Sequence, residues 1–386
     1  MQKNFYSKRM MLAMFLMLLS ALAACSPNGS SDAASVGNSN NATATSVAPI
    51  QTGGQTCPVA VSLTTYWNPI IPIQANVNNV EKVTCAHLKN DASLQALVTV
   101  RAEGPGAILD LYIYDNITSP SPKQLFKLLD LYKGDARISA YNTLLTGEVD
   151  QNSSINKNTT ASQMDLFREF AWSERVGTLI PVSFPGIFPD LTRYQAEADQ
   201  QQVDQGQQSW KLHADMSAAR LAATLLHWSL HAPTTIVSGG GPHDSKAEVI
   251  VKSTSPSGGS IKVSLSRLEN NTNNGIWSAT AVTSDGIGLT SPPGRDYLSS
   301  PITITGNGNA PIGKIGSIVV LNHLYMDIGH ADAVGTSNNG NTTFAAKVSF
   351  DSSFKSGFQE GLVVLYSYSN ADGSIIGAVV EKELLS

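Results

Sequence analysis

The sequence predicts an α+β N-terminal domain followed by an all-β sandwich, and three observations support this. Between residues 189 and 233 apolar side chains recur at helical spacing, with strand-like runs on either side. After Ser300 the helical period disappears, and strand signals return roughly every ten residues between Gly and Asn turns. Ser291-Pro292-Pro293-Gly294 separates the two regions as a linker composition.

The elements follow in order. Leu94 to Val100 and Ala107 to Tyr114 read as a hairpin around Gly104-Pro105-Gly106. Leu125 to Tyr132 fits a short helix or a strand, because periodicity alone does not separate them. Gly147 to Ser162 is polar and reads as an exposed loop. Leu166, Phe167, Phe170 and Ala171 give Asp165 to Trp172 helical spacing, and Thr178 to Phe184 is a strand ended by Pro185-Gly186. Pro189 and Asp190 are expected to cap a helix running through Tyr194 and Ala198 toward Gly206. A second helix starts at Asp215 or Ser217 and carries Leu221, Leu225 and Trp228 on one face to Pro233. Beyond the Gly239-Gly240-Gly241-Pro242 turn come strands at Glu248 to Ser253, Ser260 to Leu268 and Ile276 to Val282. The expected domains are therefore 56–290, a linker at 291–299 and 300–386, with a split near Gly239 as the alternative. The last of these holds strands at Ile302 to Thr305, Ile315 to Leu321, Tyr325 to Val334, Thr343 to Phe350, Gly361 to Tyr368 and Ser374 to Leu384. That succession fits an antiparallel sandwich of immunoglobulin-like kind.

The first residues set the compartment. Lys3, Lys8 and Arg9 precede an apolar or small run from Met10 to Ala24, too short for the roughly 20 residues of a membrane span. Leu22-Ala23-Ala24-Cys25 resembles the lipobox of bacterial lipoprotein signals. That resemblance implies cleavage after residue 24, a diacylglycerol on the Cys25 thiol and a membrane-anchored chain on the extracytoplasmic face. Residues 25–55 are mostly Ser, Asn, Ala, Gly and Thr with a single Asp, and read as a flexible stalk of about 30 Å mean reach. Cys57 and Cys85 then remain as an even pair in an oxidising compartment, and a disulfide is expected. Two free thiols, or a metal site with His87, are the alternatives.

A second resemblance lies at the other end. Ser300-Pro301-Ile302-Thr303-Ile304-Thr305-Gly306, Phe344-Ala345-Ala346-Lys347-Val348-Ser349-Phe350, Leu362-Val363-Val364-Leu365-Tyr366-Ser367 and Asp372-Gly373-Ser374-Ile375-Ile376 resemble the immunoglobulin-like domain associated with bacterial spore germination proteins. The resemblance covers about a quarter of the chain and implies surface binding or scaffolding. The germination partner domain is not found upstream.

Composition excludes several functions. At 42% hydrophobic and 14% charged residues the chain is neither a disordered polyelectrolyte nor a multi-span membrane protein. Loss of the three signal cations takes the formal charge from -5 to about -8, which leaves no basic field for nucleic acid.

Candidate chemistry is sparse. His227 and His231 stand four apart, but the intervening residues lack the glutamate of a metalloprotease helix, so both read as helix-end residues. His243-Asp244 reads as a turn, and no Gly-x-Ser-x-Gly elbow occurs. His323, Asp327, His330 and Asp332 are expected on differing faces of a loop or edge. Asp150-Gln151-Asn152 and Asn338-Asn339-Gly340-Asn341 lack the ligand spacing of a calcium loop and read as turns. No phosphate loop follows Gly306-Asn307-Gly308, and no cofactor is expected.

The sequence thus favours a non-enzymatic lipoprotein presenting binding or scaffolding domains to an envelope protein or polymer. An exported hydrolase or cell-wall-modifying enzyme is the alternative, and requires a pocket joining His213, His227 or His243 to an acid or serine. A solute-binding lipoprotein needs more βαβ units than are present.

Overall fold

Strand-forming alternation dominates the molecule, and the result is predominantly β with large antiparallel sheets. A computed structural model describes residues 53–386 apart from 75, 160, 270–273, 309–312, 339–340, 353 and 355–356. The signal segment, Cys25 and the stalk to residue 52 lie outside the described residues, as does part of the 338–341 turn.

Two short helical turns, α1 (Val59–Ser62) and α2 (Thr64–Trp67), open the described chain. They cover one face of an antiparallel sheet made by β1 (Asn78–Ala86), β2 (Gln95–Ala102), β3 (Leu109–Asp115) and β4 (Lys123–Leu131). Trp67 is fully buried there, its indole N–H donating to the Val61 carbonyl at 2.8 Å and its ring 5.1 Å from Tyr114. The Cys57–Cys85 disulfide is formed and ties α1 to β1, with Cα atoms 5.2 Å apart. Its loop, spanning a separation of 28 residues, corresponds to about 3 to 4 kcal/mol in the chain-entropy account.

The other face of this sheet packs on a second antiparallel sheet of β5 (Asp135–Ile138), β6 (Leu144–Glu148), β7 (Leu166–Ser173) and β8 (Thr178–Val182). Leu97, Leu111 and Ile113 meet Ile138, Leu144 and Phe170 in that core. The expected helix at 165–172 is thus a strand. Arg168 and Glu169 are both buried there and paired, Arg168 with Glu148 and Glu169 with Arg193. The open choice at 125–132 also resolves as a strand.

Two longer helices follow, α3 (Arg193–Asp204) and α4 (Ala214–Leu226), joined through a 3-10 turn at Ser209–Leu212. The cap of α3 is Thr192, whose hydroxyl oxygen accepts the Gln195 N–H at 3.3 Å, rather than the expected Pro189-Asp190 pair. Asp190 is instead buried. The second helix stops at Leu226, short of Pro233, because His227 takes left-handed backbone geometry at φ 57°.

The remaining strands form one twelve-stranded sheet. They are β9 (Thr234–Gly239), β10 (Lys246–Lys252), β11 (Ser260–Arg267), β12 (Trp277–Thr283), β13 (Ile287–Ser291), β14 (Tyr297–Leu298), β15 (Ile302–Gly308), β16 (Gly313–Leu321), β17 (Asp327–Asn338), β18 (Asn341–Val348), β19 (Gln359–Tyr368) and β20 (Ile375–Leu385). The path runs β13-β15-β18-β17-β16-β19-β20-β12-β11-β10-β9, with β14 parallel to β20. Residues of β15 and β18 pack across β16, β19 and β20, so this end folds back as two layers.

The β19–β20 hairpin corrects the expected domain boundary. Side chains alternate across a strand, so Leu362, Val364, Ala378 and Val380 join the core under α4. Val363, Leu365 and Val379 join the core against β15 and β18. The hairpin is buried on both faces, which explains its unbroken apolar run. Residues 291–299 do not separate two bodies, since Tyr297 and Leu298 pair with Leu384 and Leu385. The described residues belong to one compact unit.

Candidate functional site

The chain from Leu226 to Thr234 leaves α4, passes His227 and enters β9, and a shallow groove of about 410 Å³ lies on each side of it. One is lined by Leu226, His227, Trp228, Ser229, Ser253, Thr254, Ser255, Ser374 and Ile375. The Trp228 indole N–H donates to the Ile375 carbonyl at 2.9 Å, which fixes a half-buried aromatic ring in the wall. Hydroxyls continue from it. The Ser255 and Ser374 oxygens are 3.2 Å apart, and Asp372 accepts from Ser255 at 3.3 Å and from Ser374 at 2.8 Å. Hydroxyl hydrogen bonding, from Ser374 first and then from Ser257, holds the Asp372 carboxyl well below the usual range, so it remains an acceptor. Asp215, Met216, Arg220, Leu230 and His231 contribute to the wall of the second groove, with Arg220 over the Trp210 ring at 4.5 Å.

The expected histidines are not brought together. His213 caps α4 at one end and His227 at the other, about 20 Å apart along a 13-residue helix. His227 and His231 do not share a helical turn, since the helix ends before both. His243-Asp244 is an exposed turn between β9 and β10, where the Asp244 carboxylate accepts the Gly241 N–H at 2.8 Å. His227 lies beside serines, yet no imidazole is hydrogen-bonded to a hydroxyl among the described residues. Nor do three His, Cys, Asp or Glu side chains there form a metal-ligand set.

The remaining polar cluster divides. Asp327, His330 and Asp332 are exposed on β17, with His330 at 3.4 Å from Asp327 and Asp332 at 2.7 Å from Lys314. His323 is buried, its Nδ1 against the Gln359 side-chain oxygen, and burial lowers its pKa.

Most buried charge serves as internal struts. Arg193 joins Glu169 at 2.9 Å to Glu269 at 2.8 Å, with its guanidinium 4.2 Å from the Tyr141 ring. Burial pushes Glu269 up to about 8 against the opposing pull of Arg193. Lys382 on β20 lies 3.5 Å from Glu360 on β19 and donates to the Gly186 and Leu191 carbonyls. Glu360 accepts the Phe184 N–H at 3.0 Å and the Ser183 hydroxyl at 2.9 Å. Desolvation moves both toward neutrality, Glu360 up to about 7 and Lys382 down to about 8. Lys382 and Glu360 tie the 183–191 segment to the central hairpin and line neither of the two grooves.

The sequence singled out His227 and passed over Trp228 as a wall residue, together with Ser255, Asp372 and Ser374. Ser255 and Ser374 each stand in a stretch of turn composition, Ser-Pro-Ser-Gly-Gly and Asp-Gly-Ser. Their meeting with Trp228, 147 residues from Ile375, is a property of the fold.

No family model matches the chain, and no curated protein does. A crystal structure of a protein of unknown function from Dyadobacter fermentans aligns over 81% of this chain and 100% of its own, at 10% identity and a TM-score of 0.20.

Proposed function

We propose that this chain is an extracytoplasmic lipoprotein held to the cell membrane through lipid on Cys25, and that its body binds a neutral, hydroxyl-rich envelope polymer without turning it over. The groove at Trp228 carries the binding part of this reading. An indole held by its own N–H offers a flat apolar face, while Ser255, Ser374 and Asp372 offer hydroxyl and carboxylate groups suited to a sugar's alternating C–H and O–H surfaces. An open groove suits a chain that passes through, where a small metabolite would need enclosure.

The anchor rests on Leu22-Ala23-Ala24-Cys25, and the formed disulfide fits an oxidising compartment. The two-layered end of the large sheet carries the segments that resemble an immunoglobulin-like domain, and we assign it that fold as a scaffold. His227 beside Ser229, Ser253 and Ser255 is the observation that favours an exported hydrolase. The missing serine–imidazole bond favours binding.

Co-sedimentation with insoluble cell-wall polysaccharide tests the site. Trp228→Ala is expected to weaken binding roughly tenfold, the equivalent of about 1.4 kcal/mol from one aromatic contact. Equal sedimentation of wild type and variant would remove Trp228 from the site, and release of soluble fragments by the wild type would favour the hydrolase.

A further inference from the structure

The path of the large sheet ends at β13 and at β9, and the two edges differ. At β13, Ile287 and Leu289 pack against the core. Along β9, Thr235 to Gly239 are exposed, with Ile236 at 45% and Val237 at 53%. Its sequence, Thr-Thr-Ile-Val-Ser-Gly, holds no charge and no proline, the residues that ordinarily keep an edge strand from pairing.

The main-chain groups of this edge follow from the ladder. The Lys252 N–H donates to the Pro233 carbonyl at 2.9 Å, and the register continues with Thr234 opposite Val251, Thr235 opposite Ile250 and Ile236 opposite Val249. Bonded and non-bonded pairs alternate between antiparallel strands, so Thr235 turns its N–H and C=O toward β10. Thr234 and Ile236 turn theirs outward, and among the described residues no backbone hydrogen bond from outside the β9–β10 ladder reaches them. A register shift after Ile236 ends the regular stretch. The side chains beside the edge are apolar as well. Thr234 lines the groove that holds Met216 and Leu230, 48% and 57% exposed, and Ile236 shares the face of Thr234. The same groove carries a carboxylate, Asp215, and a guanidinium, Arg220.

We propose that β9 pairs antiparallel with β9 of a second copy of this chain, about a two-fold axis through Thr235. In that register Thr234 of each copy exchanges both main-chain hydrogen bonds with Ile236 of the other, so the outward groups of both strands are satisfied. Thr235 meets its own copy in a non-bonded pair. The axis also brings groove toward groove, which covers Met216 and Leu230 and makes a carboxylate and a guanidinium available to each other across it. A neutral edge offers a charged strand no ionic anchor, whereas a face with one charge of each sign complements itself about a two-fold. The symmetry closes the assembly at two copies and uses up the edge that would otherwise template longer ones. With only 6 residues in β9, the pair is weak and reversible.

Oxidative cross-linking in membranes, and light scattering of the full-length, detergent-extracted protein over a concentration series, test this. Cys57 and Cys85 are bonded to each other, so Thr235→Cys adds a free thiol on the axis. Non-bonded partners stand about 4.5 Å apart at Cα, within disulfide reach. A covalent dimer of Thr235→Cys is expected, and none of the wild type or of Val334→Cys, a position on β17 that is 55% exposed. Thr235→Lys sets each lysine opposite its own copy and Leu230→Asp charges the groove, and each should weaken the dimer roughly tenfold or more. Both residues are exposed, so denaturant unfolding of these variants should match the wild type and separates lost pairing from lost folding. A wild type that is monomeric throughout the series, equal cross-linking of Val334→Cys, or a dimer indifferent to both Thr235→Lys and Leu230→Asp would overturn the proposal. So would cross-linking of Thr235→Cys to a different protein in place of its own copy.

Discussion

Replacing Lys382 with alanine is expected to cost about 3 to 5 kcal/mol, the penalty for removing one partner of a buried ion pair. The side chain is buried against Glu360 and also satisfies the Gly186 and Leu191 carbonyls, so its loss strands an acid and two acceptors together. Glu360, already pushed up to about 7, relieves part of this by binding a proton. The variant is therefore expected to be less stable at pH 8.5 than at pH 6. The sign follows from the raised pKa. A carboxyl that prefers its acid form when folded contributes most below its unfolded value, and that contribution is lost as pH rises through the folded value. Denaturant unfolding of Lys382→Ala, Glu360→Gln and the double variant measures the coupling, and the double variant should lose less than Lys382→Ala alone. A Lys382→Ala loss below about 1 kcal/mol at pH 8.5 would show that the pair is not the strut described here.

The second large effect falls on the β19–β20 hairpin. Leu362→Ala and Leu365→Ala each remove a fully buried side chain, at about 2 to 5 kcal/mol apiece. They empty different cores, Leu362 beneath α4 and Leu365 against β15 and β18. Two separate domains would unfold in two steps, with each substitution shifting one of them. A hairpin shared by both cores makes each substitution lower the same transition. Calorimetry distinguishes these outcomes, and two transitions that respond separately would contradict the shared core.

The hairpin also marks where sequence reasoning ends. Gly361 to Tyr368 was legible as a strand because its apolar run is dense and β-branched, yet a run buried on both sides does not say which partners lie on either side. Ser291-Pro292-Pro293-Gly294 read as a domain boundary from its composition, and only the pairing of Tyr297-Leu298 with the last strand shows that it does not divide the fold. Cysteine arithmetic identified Cys57–Cys85 because a pair allows one connectivity. Asp165 to Trp172 was misread because Arg168 and Glu169 are buried polar residues, which reverse the usual link between polarity and exposure. At the groove, His227 attracted attention through its chemistry. Trp228 and the hydroxyls around Asp372 become a site only when strands distant in sequence converge.

The proposed function depends most on the lipid at Cys25. Growing cells with labelled palmitate and immunoprecipitating the protein measures it directly. Label is expected on the wild-type chain and not on Cys25→Ala, whereas an unlabelled wild type, or label that survives the substitution, would contradict a lipoprotein anchored at this residue.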